Sequence, residues 1–317
     1  MQQTISIITR ESGLADIAKD FLHHAGLGNN RGPLAVESNL LKGLKKIGAR
    51  YNLNPKKAEL FPKVAVLRSV KRAISLAEQR NLELVVGPNI SVSEVVQLHG
   101  ASARIKFFLV PGQAVKFTFI HYGIPEAKIK IWPVGIDTED FKDVSQTPKI
   151  YDALVYFKRR TSKELKQVVA LLKQAGQSYL VLKYGHYSRA GFKKVLAKCR
   201  YAVILDGNES QGIAIQEIMS SNLPMFVFDQ IYLGESTDSS LRENLQVSSV
   251  PYWSEVCGVK VATDTFGKAN HPYFQIPDTR VQFQDFLQNL GSFSPRSYIL
   301  ENLELEDQAK KFLEFFL

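Results

Sequence analysis

ILDGNESQGIAIQEIMSSNLP, residues 204–224, holds the end of one secondary-structure element, a polar loop and the whole of the next element. The run YAVILDG (201–207) is short, apolar and β-branched, and predicts a buried strand ending at Asp206 or Gly207. QGIAIQEIMSSN (211–222) predicts a helix opening at Gln211-Gly212. LPMFVFD (223–229) then predicts another buried strand. Strand, helix and strand in that order make a crossover unit of a parallel sheet.

The same alternation extends both ways. Upstream, IYDALVYFKRR (150–160) and SYLVLKYGHY (178–187) read as strands, while SKELKQVVALLKQAG (162–176) and RAGFKKVLAKC (189–199) read as helices. A second run of alternation precedes these. TISIITR (4–10) predicts a strand, and Leu34, Leu40, Leu41, Leu44 and Ile47 have helical spacing. VAVLRSVKRAISLAEQRN (64–81) reads as helical in its second half, LELVVGP (82–88) as a strand, and SVSEVVQLHG as a helix capped at Ser91 or Ser93. ARIKFFLVPG, AVKFTFIHYGI and KIKIWPVGID follow as strand, helix and strand. DTEDFKDVSQTPK (137–149) is polar and aperiodic, which places a linker near 140–150 and two Rossmann-like domains at 1–145 and 146–317. Ligands of such sheets bind at the carboxyl ends of strands, and a cleft between domains is the natural place for them. LEDQAKKFLEFFL (305–317) predicts an amphipathic terminal helix.

Bulk properties narrow the class. The 317 residues are 45% hydrophobic and 22% charged, which is globular and not disordered material. No apolar run approaches the ~18 residues of a membrane span, and no secretory signal is visible at the N-terminus. Cys199 and Cys257 form neither a metal-ligand pattern nor a disulfide framework, so a reducing, cytoplasmic setting is expected. The net charge of +9 divides as +7 over residues 1–145 and +2 over 146–317. A basic first half suits phosphates of a nucleotide or nucleic acid, or peripheral contact with an anionic membrane surface; surplus surface lysine is the plainer reading.

The opening stretch also carries chemistry. Glu209 stands before the helix and Glu217 within it, eight positions apart, with Gln211, Gly212 and Ile213 at the helix start. Backbone N–H groups at a helix start hold a diphosphate, and Gly212 allows its close approach. Glu209 can then face the sugar side of that phosphate, and Glu217 can accept hydrogen bonds from two ribose hydroxyls. The plain alternative is one acid balancing a helix dipole and another in solvent.

ESQGIAIQE with its small-residue tail and Leu223-Pro224 resembles the E-x7-E motif of retaining GT-B glycosyltransferases of the family 4 type. Two further segments carry the resemblance in the family's order. One is the segment 109–141, through Pro133, Gly135, Ile136, Asp137 and Phe141; the other is the glycine-rich 28–49, with Gly32-Pro33 at the turn on the acceptor side. The chain departs from the family in Gln211-Gly212, where Phe-Gly is usual, and in Ile218-Met219, where Ala-Met is usual. The resemblance implies two Rossmann-like domains facing a cleft, with a C-terminal helix crossing back. It implies transfer of a sugar with retention from a UDP- or GDP-sugar, without metal or cofactor. It assigns the donor sugar and reaction centre to Glu209 and the donor ribose to Glu217. The backbone of Gln211, Gly212 and Ile213 takes the phosphates, and Lys158, Arg159 and Arg160, with Lys163 as a further candidate, face the diphosphate. Tyr184 and Gly185 fall where the family places a loop near the base, with Tyr187 beside them.

The acceptor stays open: a glycan, a lipid-linked sugar or a modified nucleic acid. Two rival readings keep the fold, a basic nucleic-acid-associated protein and a sugar-nucleotide epimerase. His99, His121 and His23-His24 sit in no matching motif and read as exposed or satisfied side chains.

Overall fold

A computed structural model describes residues 4–9, 32–79, 81–231, 245–263 and 276–317, apart from the side chains of Val92, Ser93, Ile276, Pro277 and Asp278. His23-His24 and the glycine-rich residues before Gly32 lie outside these segments. Contacts divide the chain into two units, Met1–Gly135 with Leu303–Leu317, and Ile136–Asn302. The polar segment 137–149 therefore belongs to the second unit, and the division falls ten residues before 145. The reason is local. Asp137 accepts from the Asp140 amide at 3.1 Å, and the Phe141 carbonyl accepts from Ser220 Oγ at 2.7 Å and Arg296 at 2.9 Å.

In the first unit, β1 (Thr4–Ile8), β2 (Arg50–Leu53), β3 (Lys63–Val66), β4 (Glu83–Val86), β5 (Phe107–Val110) and β6 (Ile129–Ile131) form a parallel sheet. Its order is β2-β1-β3-β4-β5-β6. The strands are short and apolar because both faces are covered. Val64, Val66, Leu84, Val86, Phe108 and Val110 form the core with Val70, Ala73, Leu76 and Ala77 of α2 (Val70–Ala77). α1 (Gly32–Lys46) buries Val36, Leu40 and Leu44, one per turn. α3 (Val92–Leu98) begins at Ser91, whose capping box with Glu94 satisfies the first turn. α4 (Gln113–His121) precedes β6.

In the second unit, β7 (Tyr151–Lys158), β8 (Tyr179–Lys183), β9 (Cys199–Asp206), β10 (Met225–Gln230) and β11 (Gly258–Thr263) are again all parallel, in the order β11-β10-β9-β7-β8. α5 (Ser162–Gln174), α6 (Arg189–Lys198) and α7 (Ile213–Ser220) connect them. α8 (Ile276–Gln288) adds Phe283 and Phe286 to Tyr201, Phe226 and Phe228 in an aromatic core, with Phe226–Phe283 centroids 5.0 Å apart. α9 (Pro295–Asn302) ends the unit.

α10 (Leu305–Glu314) returns to the first unit, as the terminal helix was expected to do. Trp132 Nε1 donates to the Gln308 carbonyl at 2.9 Å, and its ring lies 4.9 Å from Phe312. Gly135 explains the close approach: a Cβ there would stand 2.5 Å from Leu305 Cα.

Candidate functional site

Open parallel sheets bind ligands where the strand order reverses, outside the carboxyl ends of the strands. In the second unit that point lies between β7 and β9. The last residue pair across it is Lys158 and Asp206, both at strand ends. The next residues on each side, Arg159 and Gly207 to Glu209, form the rim of the crevice.

Four charged groups meet there. Glu209 Oε1 accepts from Lys158 Nζ and, at 2.5 Å, from the Arg159 guanidinium. Asp206 lies behind them, fully buried. Neither of its carboxylate oxygens accepts a hydrogen bond among the described residues; Lys158 Nζ is 3.7 Å away and Arg159 Nε 3.6 Å. Burial, then the charge of Glu209, pushes the Asp206 carboxyl well above its ordinary value. Burial would also raise Glu209, but Lys158 and Arg159 outweigh it and hold that carboxyl below its ordinary value. Both directions favour the negative charge on Glu209, the carboxylate on which two cations converge. Arg159 reaches this position with φ +51, a left-handed backbone uncommon for a residue with a side chain.

The rim is braced from below. The Glu209 amide donates to Ser248 O at 2.9 Å. Ser249 Oγ donates to Asp206 O at 2.8 Å, and Asp229 accepts from the Ser249 amide at 2.7 Å and Ser248 Oγ at 2.8 Å. Gly212 then turns the chain into α7 with φ +78, a conformation only glycine adopts without strain. Gln211 and Gln216 lock the turn: Gln211 Nε2 donates to Gln216 Oε1 at 3.0 Å, and Gln216 Nε2 to Gln211 O at 3.0 Å. Ile213 is buried, so what it and Gly212 offer a ligand is backbone at a helix start.

The three consecutive cations have separate fates. Arg160 is 8% exposed and is used inside the unit. It donates to Phe228 O at 2.7 Å and Thr263 Oγ1 at 2.8 Å and pairs with Glu164 at 3.1 Å, tying β7 to β10 and β11. Of these cations Lys158 and Arg159 reach the Glu209 group, and Lys163 is exposed on the first turn of α5. Tyr184 follows β8 with 37% exposure, and Lys158 Nζ stands 4.4 Å from its ring centroid. Gly185 turns the chain at φ +81. Tyr187 is packed instead: its ring lies 5.0 Å from Phe192, its hydroxyl donates to Tyr156 at 3.4 Å, and burial pushes it up to about 12.

Glu217 is almost buried on α7 and pairs with Arg189 at 2.6 Å. Arg189 also binds Asp140 at 2.9 Å, and Lys193 binds Asp140 at 2.6 Å. Sequence reasoning missed Asp206, Asp140 and Arg189. A carboxylate at a strand's carboxyl end was the visible signal for Asp206; Asp140 lies inside the 109–141 segment that carried the family resemblance.

In the first unit, Gly32 and Pro33 open α1 and are exposed. Asn89 Nδ2 donates to Pro33 O at 3.0 Å, and the buried Glu37 one turn on pairs with Arg68 at 3.2 Å. His99 and His121 are exposed. Cys199 and Cys257 are buried thiols; burial pushes Cys199 up to about 12 and Cys257 above its ordinary value. No helix among the described residues is long and apolar enough to cross a membrane.

No family model matches the chain, and no curated protein matches it by sequence. Solved structures do match. The lipopolysaccharide outer core galactosyltransferase WaaB, in its apo form, superposes with a TM-score of 0.57 at 10% identity over 99% of both chains. Sucrose-phosphate synthase from Thermosynechococcus elongatus gives 0.57 at 12% identity over 99% of this chain and 98% of that one. HepE of Anabaena, in complex with UDP and glucose, gives 0.53 at 11% identity over 99% of both. The chain has the two-unit parallel α/β fold of these GT-B glycosyltransferases.

Proposed function

We propose that the chain is a glycosyltransferase that moves a sugar from a nucleotide-sugar donor to an acceptor hydroxyl, holding the donor on the second unit. The observation that carries this is the convergence of Lys158 and Arg159 on Glu209, beside a helix start opened by left-handed Gly212. Two cations and a helix N-terminus suit a diphosphate, which needs fixed positive charge as its bond to the sugar breaks. Lys158 and Arg159 supply that charge without a metal. Glu209 faces the sugar side, Glu217 the ribose, and Tyr184 offers an exposed ring on which a base stacks. The complexes of HepE with UDP and with UDP-glucose support a nucleotide sugar as the ligand of this fold.

The reaction we assign retains anomeric configuration. The bond from the anomeric carbon to the diphosphate oxygen breaks while the acceptor oxygen bonds to the same face, and the hydroxyl proton passes to the departing phosphate. No protein nucleophile is needed; positioning and charge do the work. The acceptor is a glycan, a lipid-linked sugar or a modified nucleic acid.

A thermal-shift screen against UDP, GDP and their sugars tests the reading, because a ligand that binds the folded state raises Tm. The expected result is a shift with at least one of them that is lost in Glu217→Ala. Glu209→Ala should lower turnover more than Tm. No shift with any nucleotide, or near-normal turnover in both variants, would falsify the assignment. Salt-sensitive DNA binding without nucleotide binding would favour the nucleic-acid reading, and donor consumed without acceptor would favour epimerisation.

A further inference from the structure

The charge on Glu217 has to be kept and aimed before it can serve a ribose. Its side chain is 6% exposed, and a carboxylate so placed stays ionised only beside a positive partner. That partner comes from 28 residues away in sequence. Arg189 is the first residue of α6, behind the Ser188 cap, and its NH1 donates to Glu217 Oε1 at 2.6 Å. The other side of the guanidinium is held independently. Nε donates to Asp140 Oδ2 at 3.0 Å and NH2 lies 2.9 Å from the same oxygen. The group lies 4.5 Å from the centroid of the Phe141 ring, which fixes its plane. Lys193, one turn along α6, binds Asp140 Oδ1 at 2.6 Å and holds the anchor.

The four charges alternate along one line: Lys193, Asp140, Arg189, Glu217. Burial would lower Arg189, but Glu217 and Asp140 outweigh it and raise the guanidinium above its ordinary value. Burial would raise Asp140, but Lys193 and Arg189 hold it below. Arg189 and Asp140 therefore stay charged across neutral pH. An arginine is required for this shape, because the planar guanidinium presents separate donors to two carboxylates and an ammonium does not.

We infer that Arg189, anchored by Asp140, is a positioning residue of the nucleotide site: it fixes the Glu217 carboxylate for a ribose diol and so makes the site select ribonucleotides over 2′-deoxyribonucleotides. The inference rests on the donor-site reading above. A fork that merely staples residues 137–141 to α6 and α7 would affect every ligand alike, and this separates the two roles.

The test is isothermal titration of the full chain with UDP and GDP and with their 2′-deoxy counterparts. A hydrogen bond to a charged group makes a preference for the ribose form of roughly ten- to a hundredfold the expectation for the unaltered protein. In Arg189→Gln the preference should collapse to within about threefold, with 2′-deoxy binding, which keeps only the 3′-hydroxyl contact, weakened less than ribose binding. Glu217→Gln should give the same collapse, and the two together no further loss, since both act on the same Glu217 contacts. Asp140→Asn leaves Arg189 in place and should reduce the preference in part, which covers the case where Arg189→Gln does not fold. A preserved preference in Arg189→Gln overturns the inference. So does a parallel loss of both ligands with a lowered Tm. If the unaltered protein binds none of the nucleotides, the donor-site reading falls and takes the inference with it; binding without ribose preference sinks only the inference.

Discussion

The two sheets share a plan, and their switch points show how differently one plan can be dressed. Numbered within its own unit, each sheet runs 2-1-3-4-5, with one further strand in the first. The backbone around each switch point is also the same. Asn54 N donates to Ile7 O and Leu67 N to Ile8 O; Tyr184 N donates to Phe157 O and Gly207 N to Lys158 O. Ile8 thus corresponds to Lys158, and Val66 to Asp206, and each pair is the last across its switch. In the first unit that pair is apolar and buried, at 2% and 0% exposure. Beyond it come Thr9 and Asn54, bonded to each other at 2.9 and 3.0 Å, and the Arg68–Glu37 pair. In the second unit the pair is a cation and an acid, joined by Arg159 and Glu209. The crevice comes from topology; the phosphate chemistry comes from a few side chains set on it.

Transplanting the pair is the strongest way to break the comparison. Lys158→Ile alone takes from the buried Glu209 carboxylate one of its two cations, and should cost about 4 kcal/mol of stability, the range for breaking a buried ion pair. Adding Asp206→Val recreates the Ile8–Val66 arrangement and should recover part of that loss, because a packed apolar side chain replaces a fully buried carboxyl that accepts no hydrogen bond. The double variant should fold yet bind nucleoside diphosphates on the order of 100-fold more weakly, having lost a charge-assisted contact. Chemical denaturation measures the first two effects and calorimetry the third. A double variant no more stable than Lys158→Ile would show that the two switch points are not interchangeable frameworks.

Separating cations that serve the fold from cations that face the site sharpens the comparison further. Arg160→Ala removes a guanidinium that holds Glu164, Phe228 O and Thr263 Oγ1 inside the second unit. It should cost about 3 kcal/mol, since the buried Glu164 is left behind. Nucleotide affinity, measured on the fraction still folded, should change little. Arg159→Ala should do the opposite: Tm stays nearly level, because the side chain is 49% exposed, while diphosphate affinity falls roughly tenfold. Equal losses of affinity in the two variants would contradict the division.

The difference between Arg159 and Arg160 also shows what the sequence withheld. Side chains alternate along a strand, so a row of three cations suggests one pointing each way in turn. Arg159 breaks the alternation with φ +51, and nothing in an arginine announces a left-handed backbone, as a glycine would. Elsewhere the pattern was legible where a run was long and bounded. YAVILDG lies within β9 except for Gly207, and the Leu34–Ile47 spacing overlaps α1 except at its last residue. β3 was missed because its four residues run straight into Leu67-Arg68-Ser69 and α2, so strand and helix periods mix in one window. β2 was missed because RYNL is polar and only half-buried at the sheet edge. Glu209 and Glu217 were legible through spacing within one short stretch. Their partners Lys158 and Arg189 lie 51 and 28 residues away, a pairing only the fold creates.

Asp206 tests the comparison most gently, through its proton. Val66 at the equivalent place cannot titrate, so a pH dependence at this position belongs to the second unit alone. Burial and Glu209 raise the Asp206 carboxyl, while Lys158 and Arg159 pull against them from 3.7 and 3.6 Å. Because the folded value is raised, the stability this group contributes is fully present below the ordinary aspartate value of about 3.9 and is lost as pH rises through the raised one. Asp206→Asn keeps the volume and cannot ionise. Its Tm should match the unaltered protein near pH 4 and exceed it at pH 8 by about 2–4 °C, the shift that roughly 1 kcal/mol produces in a domain of this size. A variant less stable than the unaltered protein at pH 8 would mean that Lys158 and Arg159 win and that Asp206 is an ordinary ion-pair anion. The direction matters for the site. A protonated Asp206 leaves Lys158 and Arg159 facing Glu209 alone, a group of net charge +1 that favours a diphosphate; an ionised one would neutralise the group before any ligand arrived.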